Sequence, residues 1–511
     1  MKNRMIVAVA AAAAFLLPLK ASAQFVQNPP ETHDSTVVVL TLEDALKIAL
    51  SENVSVKVAD QEIERVKYAR KGTYASLFPQ VNASGSYQRT IKKQVMYMGG
   101  GNDEEGGGGM ASMFEGLMDP VMYYIQQLMA QTGAVIPPYV PPVVERDTDS
   151  DGGIAVGRLN TYSAGLSASM PLVNFQLWES LRLSGDQVEM AVEQARNSRL
   201  GTVTSVKQAF YAVLMAKEAF NVYKSVYENA VENFSRTEKR YRVQKASELD
   251  YTRAKTNVAN AIPNVYNAES SVILALWQLK AVMGVDLDRE IDVAGKLEDY
   301  ADHMFFDIHE NDDPDLSGNS SLRQLAIQAE QLSKTIKMQK YASLPSLALN
   351  FAYSYNAMTD DFKFSQYHWT PYSFVGLSLN IPIFSGGQRY HAIKQSQVQA
   401  AELDLQRINT ERQLRIGIRQ NLQTMETAMR SCDAAKDALA SAEKAYDIAA
   451  KSYEVGRSTL TDLNDAQLML TQARLSVSQA IYNFVVAKAT LEQTLGYDFL
   501  DESGNVDLEK R

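Results

Sequence analysis

The chain has 511 residues and a single cysteine, Cys432. That excludes an intrachain disulfide and any cysteine-based metal cluster. Its five histidines (His33, His303, His309, His368, His391) are scattered without ligand spacing. There is no basic excess: 50 Lys and Arg stand against 60 Asp and Glu, for a net charge of -10. A field of that sign does not neutralise phosphates, so nucleic acid is excluded as a partner. No nucleophile–base pairing, metal spacing or cofactor motif stands out. Mean hydropathy is -0.23, too polar for a bundle of membrane helices. After the first residues no apolar run is long enough to span a bilayer as a helix. What is abundant is apolar residue overall, 46%, enough for a large core and against disorder as the main state.

The first segment reads as an export signal. Lys2 and Arg4 precede the apolar run Met5 to Leu17, and Ala21-Ser22-Ala23 offers a cleavage site before Gln24. Residues 1–23 are therefore expected to be removed. An exported chain without an apolar helix can cross a membrane only with β-strands.

The remainder is written twice. Tyr74-Ala75-Ser76-Leu77-Phe78-Pro79 recurs as Tyr341-Ala342-Ser343-Leu344-Pro345. Gly165 to Pro171 recurs at Gly376 to Pro382, and Ala281-Val282-Met283-Gly284 corresponds to Gln493-Thr494-Leu495-Gly496. The last two pairs stand 382 − 171 = 211 and 496 − 284 = 212 residues apart. We expect a first repeat over 24–284, a linker or equatorial region over 285–320, a second repeat over 321–496 and a tail over 497–511. An insertion at 91–158 in the first copy holds a Gly-rich tract, the Met-rich stretch Met113 to Met129 and the cluster Pro137-Pro138-Tyr139-Val140-Pro141-Pro142. It reads as an outer loop. Asn311 to Asp315 lacks the Gly and distal Glu of a calcium loop and reads as an acidic linker.

Each copy has the same order: a helical start, two strands, a very long helix and a second long helix. The start helices are expected from Leu42 to Leu77, after the N-cap Thr41, and from Ser321 to Leu344. Strands of period two are expected at about 80–90, 159–171, 346–356 and 372–382, with Phe374 breaking the alternation. About ten residues is the length of a tilted membrane strand, although a half-buried soluble sheet alternates equally well. Phe175 to Val243 and Tyr390 to Val455 contain no proline; at ~1.5 Å per residue each would be roughly 100 Å long. The second helices carry a heptad seam: Leu463, Ala466, Leu470, Ala473, Val477, Ala480, Phe484, Ala487 and Leu491, matched at an offset of 463 − 251 = 212 by Tyr251, Ala254, Val258, Ala261 and onward. Pro263 interrupts copy one only and is expected to bend its helix. Four strands cannot close on themselves, so in a membrane several copies must pool them.

These features resemble the TolC family of outer-membrane efflux proteins. The resemblance rests on Leu40-Thr41-Leu42-Glu43-Asp44-Ala45, on Met170-Pro171-Leu172 and Ile381 to Gly387, and most of all on Tyr453 to Leu463. It implies a mainly α fold with a small membrane β-barrel portion. Duplicated antiparallel coiled-coil helices would form a trimeric α-barrel, and four strands per chain a 12-stranded barrel. It further implies a homotrimer in the outer-membrane lipid of a Gram-negative-type bacterium, with a large periplasmic part. The partners implied are a periplasmic adaptor (membrane fusion protein) and an inner-membrane RND, ABC or MFS transporter. The function implied is a passive exit duct for small molecules, with no enzyme activity and no cofactor. Type I protein secretion and a soluble periplasmic coiled-coil adaptor are the alternatives.

Carried over residue by residue, the resemblance places a periplasmic gate at Tyr453, Asp462 and Asp465, with Tyr241, Asp250 and Arg253 in copy one. Ser458 stands where the family has a basic residue, with Arg457 one place early, and an Arg253–Asp465 or Arg253–Asp462 pair between neighbouring helix pairs is expected instead. The turns Val243-Gln244-Lys245 and Val455-Gly456-Arg457-Ser458 are the expected adaptor-docking tips. Asp462 and Asp465, three apart, share a helix face and around an axis would attract cations. From position alone, Asp462 reads first as a first-turn acid favoured by the helix dipole, and the family resemblance turns that reading toward the gate.

Overall fold

The computed structural model describes residues 38–96, 125, 154–304, 315–363 and 367–497. The expected signal segment, most of the inserted loop, the acidic linker up to residue 314 and nearly all of the tail lie outside them. The elements are β1 (Val38–Leu40), α1 (Leu42–Glu52), α2 (Val54–Ala75), β2 (Gln80–Arg89), β3 (Gln94–Met96), β4 (Ile154–Val156) and β5 (Asn160–Val173). There follow α3 (Phe175–Arg242), α4 (Glu248–Met283), β6 (Ile291–Val293), a 3-10 turn (Leu297–His303) and α5 (Ser320–Tyr341). The chain closes with β7 (Ser346–Thr359), β8 (Thr370–Asn380), α6 (Gln388–Glu454) and α7 (Leu460–Leu495). The two proline-free stretches are unbroken helices of 68 and 67 residues. No described helix is long and apolar enough to cross a membrane. The described residues form two compact units, one drawn from those within 38–61, 193–304, 315–323 and 409–497, the other from those within 62–96, 154–192, 324–363 and 367–408.

The second unit holds a four-stranded antiparallel sheet in the order β2-β5-β7-β8. Its register sorts the side chains. Residues paired across an antiparallel ladder share a face. Val81 pairs with Ala168, Ala168 with Phe351 and Phe351 with Val375. Leu349 pairs with Leu377, and Leu347 with Leu379. One face is thus apolar over all four strands. The other carries Asn82, Ser84, Ser86, Ser163, Ser167, Asn350 and Ser378, with hydrogen bonds Ser86···Ser163 (2.7 Å) and Asn350 Nδ2 to Ser378 Oγ (2.8 Å). Tyr372 and Phe374 interrupt the polar face and lie against each other, 5.8 Å between centroids. The apolar face is largely exposed in the single chain, with Val375, Leu377 and Leu379 each more than 60% accessible.

Proline placement follows the sheet. Pro371 sits on the edge strand β8. Pro171 lies in β5 beyond Ser169, the last residue paired with β2, where its missing N–H leaves no ladder bond unmade on that side. The β5–β7 pairing slips between Pro171 and Val173. Gly165 permits the close approach of those strands: a Cβ there would stand 2.9 Å from Ser354 Cβ.

The first unit contains the main core. Leu46, Val206, Phe210, Leu279, Met283, Leu297, Ile418, Ile481, Phe484 and Leu491 are fully buried. Beside it β1 and β6 pair in parallel, Val39 with Asp292. The sequence pattern anticipated one start helix to Leu77. The structure divides it at Asn53, whose backbone is extended (φ -59°, ψ 127°). Asn53 Oδ1 accepts from Ser55 N (2.7 Å) and Val56 N (3.3 Å), capping α2, and Nδ2 donates to Val282 O (2.6 Å). Such a cap competes with the helix for the backbone, and a hydrophobic period does not register it. Copy two repeats the device: Asn319 Oδ1 caps Leu322 N (3.1 Å) and Nδ2 donates to Thr494 O (2.7 Å).

Candidate functional site

The two hairpin tips are one turn made twice. At the end of α3, Gln244 N bonds Tyr241 O (2.9 Å) and Lys245 N bonds Arg240 O (2.8 Å). At the end of α6, Gly456 N bonds Tyr453 O (3.1 Å) and Arg457 N bonds Ser452 O (2.8 Å). This is the Schellman closure, which needs a left-handed residue. Gly456 takes it at φ 77°; Gln244 takes it at φ 58°, the one non-glycine residue with positive φ among the described residues. The next helices then start alike. Ser247 Oγ accepts from Asp250 N (3.0 Å), and Thr459 Oγ1 accepts from Asp462 N (3.2 Å). The Asp462 carboxylate in turn accepts from Thr459 N (2.8 Å) and Oγ1 (2.7 Å), completing a capping box. Those bonds, the side-chain one first, hold its pKa below the ordinary carboxylate value.

Within one chain, therefore, Asp462 acts as the first-turn acid that its position suggests. Asp250 likewise accepts from Ser247 Oγ, at 2.7 Å. Asp465 and Arg253 are exposed and form no ion pair with a described residue, so the expected pairing of Arg253 with Asp465 or Asp462 is not made inside the chain. Tyr241 stacks on Tyr251, 4.9 Å apart, and Tyr251 meets Phe234 at 5.6 Å, joining α3 to α4. Tyr453 joins α6 to α3 instead. Its hydroxyl bonds Thr237 Oγ1 (2.8 Å), and Thr237 is fully buried. Arg240 donates to the carbonyls of Tyr453 (3.2 Å) and Glu454 (2.8 Å) and lies over the Tyr453 ring, 5.7 Å from its centroid. A guanidinium on the last carbonyls of a helix complements the negative end of its dipole. Ser458 Oγ reaches back to Ala449 O (3.3 Å). The apolar Val243 and Val455 point into solvent, flanked by Lys245 and Arg457.

Arg240 and Thr237 were not among the residues singled out from sequence. The basic last turn of α3 (Lys239, Arg240, Arg242) is the one local signal that pointed to a capping cation. A second feature also escaped. Between α3, α4 and α7 lies a groove of about 240 Å³ whose lining includes Asn229, Asn233, Asn257, Asn260, Asn264, Asn464 and Gln467.

Above the tips, the seams behave differently in the two copies. In α7 every seam residue from Leu463 to Leu491 is buried. α7 is also bound to α3 through Asn229 Nδ2 to Gln467 Oε1 (3.2 Å), Gln208 Nε2 to Thr490 Oγ1 (3.2 Å) and Lys207 Nζ to Glu492 (2.8 Å). In α4 the alanines Ala254, Ala261 and Ala268 are buried, and the helix runs on through Pro263. Its far side exposes Ile262, Tyr266, Ile273, Leu274 and Trp277. At the offset of 212, α7 carries Ser478, Val485 and Ala489 in place of Tyr266, Ile273 and Trp277, all three buried.

Among the described residues no cluster of three or more His, Cys, Asp or Glu is arranged to hold a metal. Cys432 is buried, and burial raises its thiol pKa, which leaves it unreactive.

The model of the outer membrane efflux protein family matches residues 144–285 and 315–497. The outer membrane protein TolC of Vibrio cholerae is 22% identical over 362 residues, 68% of this chain and 81% of that protein. Among solved structures, the CmeC outer membrane channel of Campylobacter jejuni superposes with a TM-score of 0.61 at 17% identity, covering 92% of this chain and 87% of that one. The open state of the Neisseria gonorrhoeae MtrE outer membrane channel gives a TM-score of 0.63 at 17% identity, over 89% and 88%.

Proposed function

The chain belongs to the outer membrane efflux protein family, and on that premise we propose that three copies assemble into the outer-membrane exit duct of a tripartite efflux pump. The observation that carries this reading is the four-stranded sheet with one continuous apolar face and two open edges, β2 and β8. In lipid each unpaired backbone group on those edges costs several kcal/mol. Edge-to-edge pairing of β8 with β2 of the next copy removes the cost, and three copies give twelve strands with the apolar face outward. About ten residues per strand, tilted, match an apolar band of about 25 Å.

The duplication supports the same ring. Copy one's α3 is the equivalent of α6, and α4 of α7. The contact that α3 makes with α7 inside the chain can therefore be repeated by α6 with α4 of a neighbour. That neighbour would cover Tyr266, Ile273 and Trp277, which are open in the single chain. Repetition around a closed ring turns the helices into a tube.

The tips carry the proposed gate and docking roles. Tyr453, held by Thr237 and Arg240, ties α6 to α3; Tyr241 ties α3 to α4. Asp462, Asp465, Asp250 and Arg253 would face one another across the axis, where Arg253 can meet a carboxylate of the adjacent copy. Val243 to Lys245 and Val455 to Ser458 would receive a periplasmic adaptor, which links the duct to an RND, ABC or MFS transporter. The duct itself is passive, so transport energy comes from those partners, and its cargo is small molecules.

The test is the assembly state. Solubilised from outer membranes in detergent, the protein is expected as heat-modifiable trimers that conduct ions in planar bilayers. The double variant Asp462→Ala/Asp465→Ala is expected to raise resting conductance and weaken block by multivalent cations. A mature chain that stays a single subunit in plain buffer would overturn the reading.

A further inference from the structure

Along the hairpins, α4 and α7 are nearly free of charge. From Thr256 to Leu279 the one charged side chain of α4 is Glu269; from Ala466 to Ala487 the one on α7 is Arg474, which is paired with Glu443 of α6 at 3.2 Å. α6 by contrast carries Arg419, Glu426, Arg430, Asp433 and Lys436 over a similar length. An ordinary solvated helix face is built from Glu and Lys. Here one exposed stripe, apart from the apolar positions such as Ile262, Ile273, Leu468 and Met469, is built from neutral hydrogen-bonding groups, and it is so in both copies. Asn260, Asn264, Asn267 and Ser271 on α4 correspond, at an offset of 212, to Gln472, Ser476, Gln479 and Asn483 on α7. All eight are exposed. Their steps of three and four keep them on one stripe, which begins at Arg253 on α4 and at Asp465 on α7. Residue identity changes at each of these four positions between the copies, yet neutrality and hydrogen-bonding capacity do not; one turn below, Asn257 of α4 is matched by the exposed, apolar Met469 of α7.

Three amides at the lower end of the stripe, Asn257, Asn260 and Asn264, also line the groove of about 240 Å³. Their side chains form no hydrogen bond with any described residue, although each carries two donors and an acceptor.

We propose that this paired stripe lines the conduit and makes its helical stretch electrically neutral, so that the duct sorts solutes by charge at the tip carboxylates alone. The inference rests on the duct reading above. Primary amides exchange hydrogen bonds with water and with a polar solute at similar free energy, so they neither trap nor repel a passing molecule. Carboxylates gathered round an axis raise the local cation concentration. The favoured cargo is accordingly an uncharged solute rich in hydrogen-bonding groups, with cations favoured over anions only at the entrance.

The experiment is the potassium-to-chloride permeability ratio of full-length trimers in planar bilayers. Asn260→Asp/Asn264→Asp is expected to raise the ratio severalfold, Asn260→Ser/Asn264→Ser to leave it unchanged, and Asp462→Asn/Asp465→Asn to bring it close to one. A second measurement does not depend on inserting charge. Asn260→Cys, treated with a cationic thiol reagent, is expected to lose conductance, while the parent protein, whose Cys432 is buried, keeps it. Assembled trimers of Asn260→Asp/Asn264→Asp with an unchanged ratio, together with unmodified conductance after labelling Asn260→Cys, would place the stripe outside the conduit and overturn the proposal while leaving the duct standing. Absence of conductance in every form, the parent included, would overturn both.

Discussion

The copy-one hairpin turns through Gln244 and the copy-two hairpin through Gly456, yet the hydrogen bonds of the two turns are the same. The helices that follow differ more. α7 is buried on two sides, α4 on one. A duplicated chain does not close a ring by itself: the second copy finds its neighbour inside the same polypeptide, the first must find it on another. In the proposed ring the difference between α4 and α7 marks where subunits would meet, and the sameness of the tips and caps marks what each hairpin needs to fold. Substitutions at paired positions separate the two.

The largest effect is expected where each second helix ends. Gly284 (φ 75°) and Gly496 (φ 75°) both take the left-handed cap against the first helix of their own copy. A Cβ on Gly284 would stand 2.7 Å from Glu52 O, and one on Gly496 would clash still harder with the Gly318 carbonyl oxygen. Both neighbours are backbone and cannot turn aside. Gly496→Ala should cost on the order of 3 kcal/mol and Gly284→Ala somewhat less. Yield of heat-modifiable trimers and their dissociation temperature measure this, and equal loss at both sites would break the ranking.

The asparagines beside those glycines come next. Asn319 is buried and Asn53 partly exposed. Each caps a helix with Oδ1 and ties down a carbonyl near the C-terminus of α7 or α4 with Nδ2. Asn319→Ala should cost about 2 kcal/mol, and Asn53→Ala about 1 kcal/mol, because water can replace part of its bonding. Asn→Asp at either site keeps the cap but sets an acceptor against the carbonyl that Nδ2 held, so it should cost at least as much as the alanine.

At the tips the comparison is between Tyr453 and Tyr241. Tyr453→Phe removes the bond to buried Thr237 and should cost about 1 kcal/mol, with resting conductance raised. Tyr241→Phe keeps its stack on Tyr251 and should leave conductance unchanged.

A smaller effect is expected from acid. The Asp462 carboxylate is lowered below its ordinary pKa of 3.8 by Thr459. A lowered carboxylate contributes stability above its unfolded pKa and loses it as the pH falls through the folded value. The start of α7 should thus fray only below pH 3.8, seen as faster proteolysis near Thr459, and Thr459→Val, which keeps the backbone bond to Asp462, should weaken that pH dependence.

Much of this architecture was visible in the order of residues. The absence of proline between Phe175 and Val243 delimited α3, and alternation located β7 and β8 to within a few residues. Asn53 was missed because an asparagine in a 3.6-residue pattern looks like a solvated position; what makes it a break is a carbonyl at Val282, 229 residues away. Arg240 and Thr237 were missed for the same reason, since their partners lie 213 to 216 residues on. The amide stripe has a helical period of its own, but a search for ionisable groups passes over it. The proposed gate positions rest on resemblance to a family; the roles proposed for them would act between copies, which no spacing within one chain encodes.

The smallest change is the one that would make the two tips alike. Gln244 sits at φ 58°, where an L-residue is strained by about 1 kcal/mol relative to glycine. Gln244→Gly releases that strain but gives the unfolded chain more freedom, offsetting about half of the gain. A net stabilisation of about 0.5 kcal/mol should remain, readable as a slightly higher trimer dissociation temperature. Gly456→Gln, the reverse exchange, should lose a similar amount, because a Cβ there meets nothing closer than Arg240 Nη2 at 3.9 Å. If Gln244→Gly instead leaves stability unchanged but weakens adaptor binding, the glutamine is retained for its partner, and the sameness of the two tips ends at their backbones.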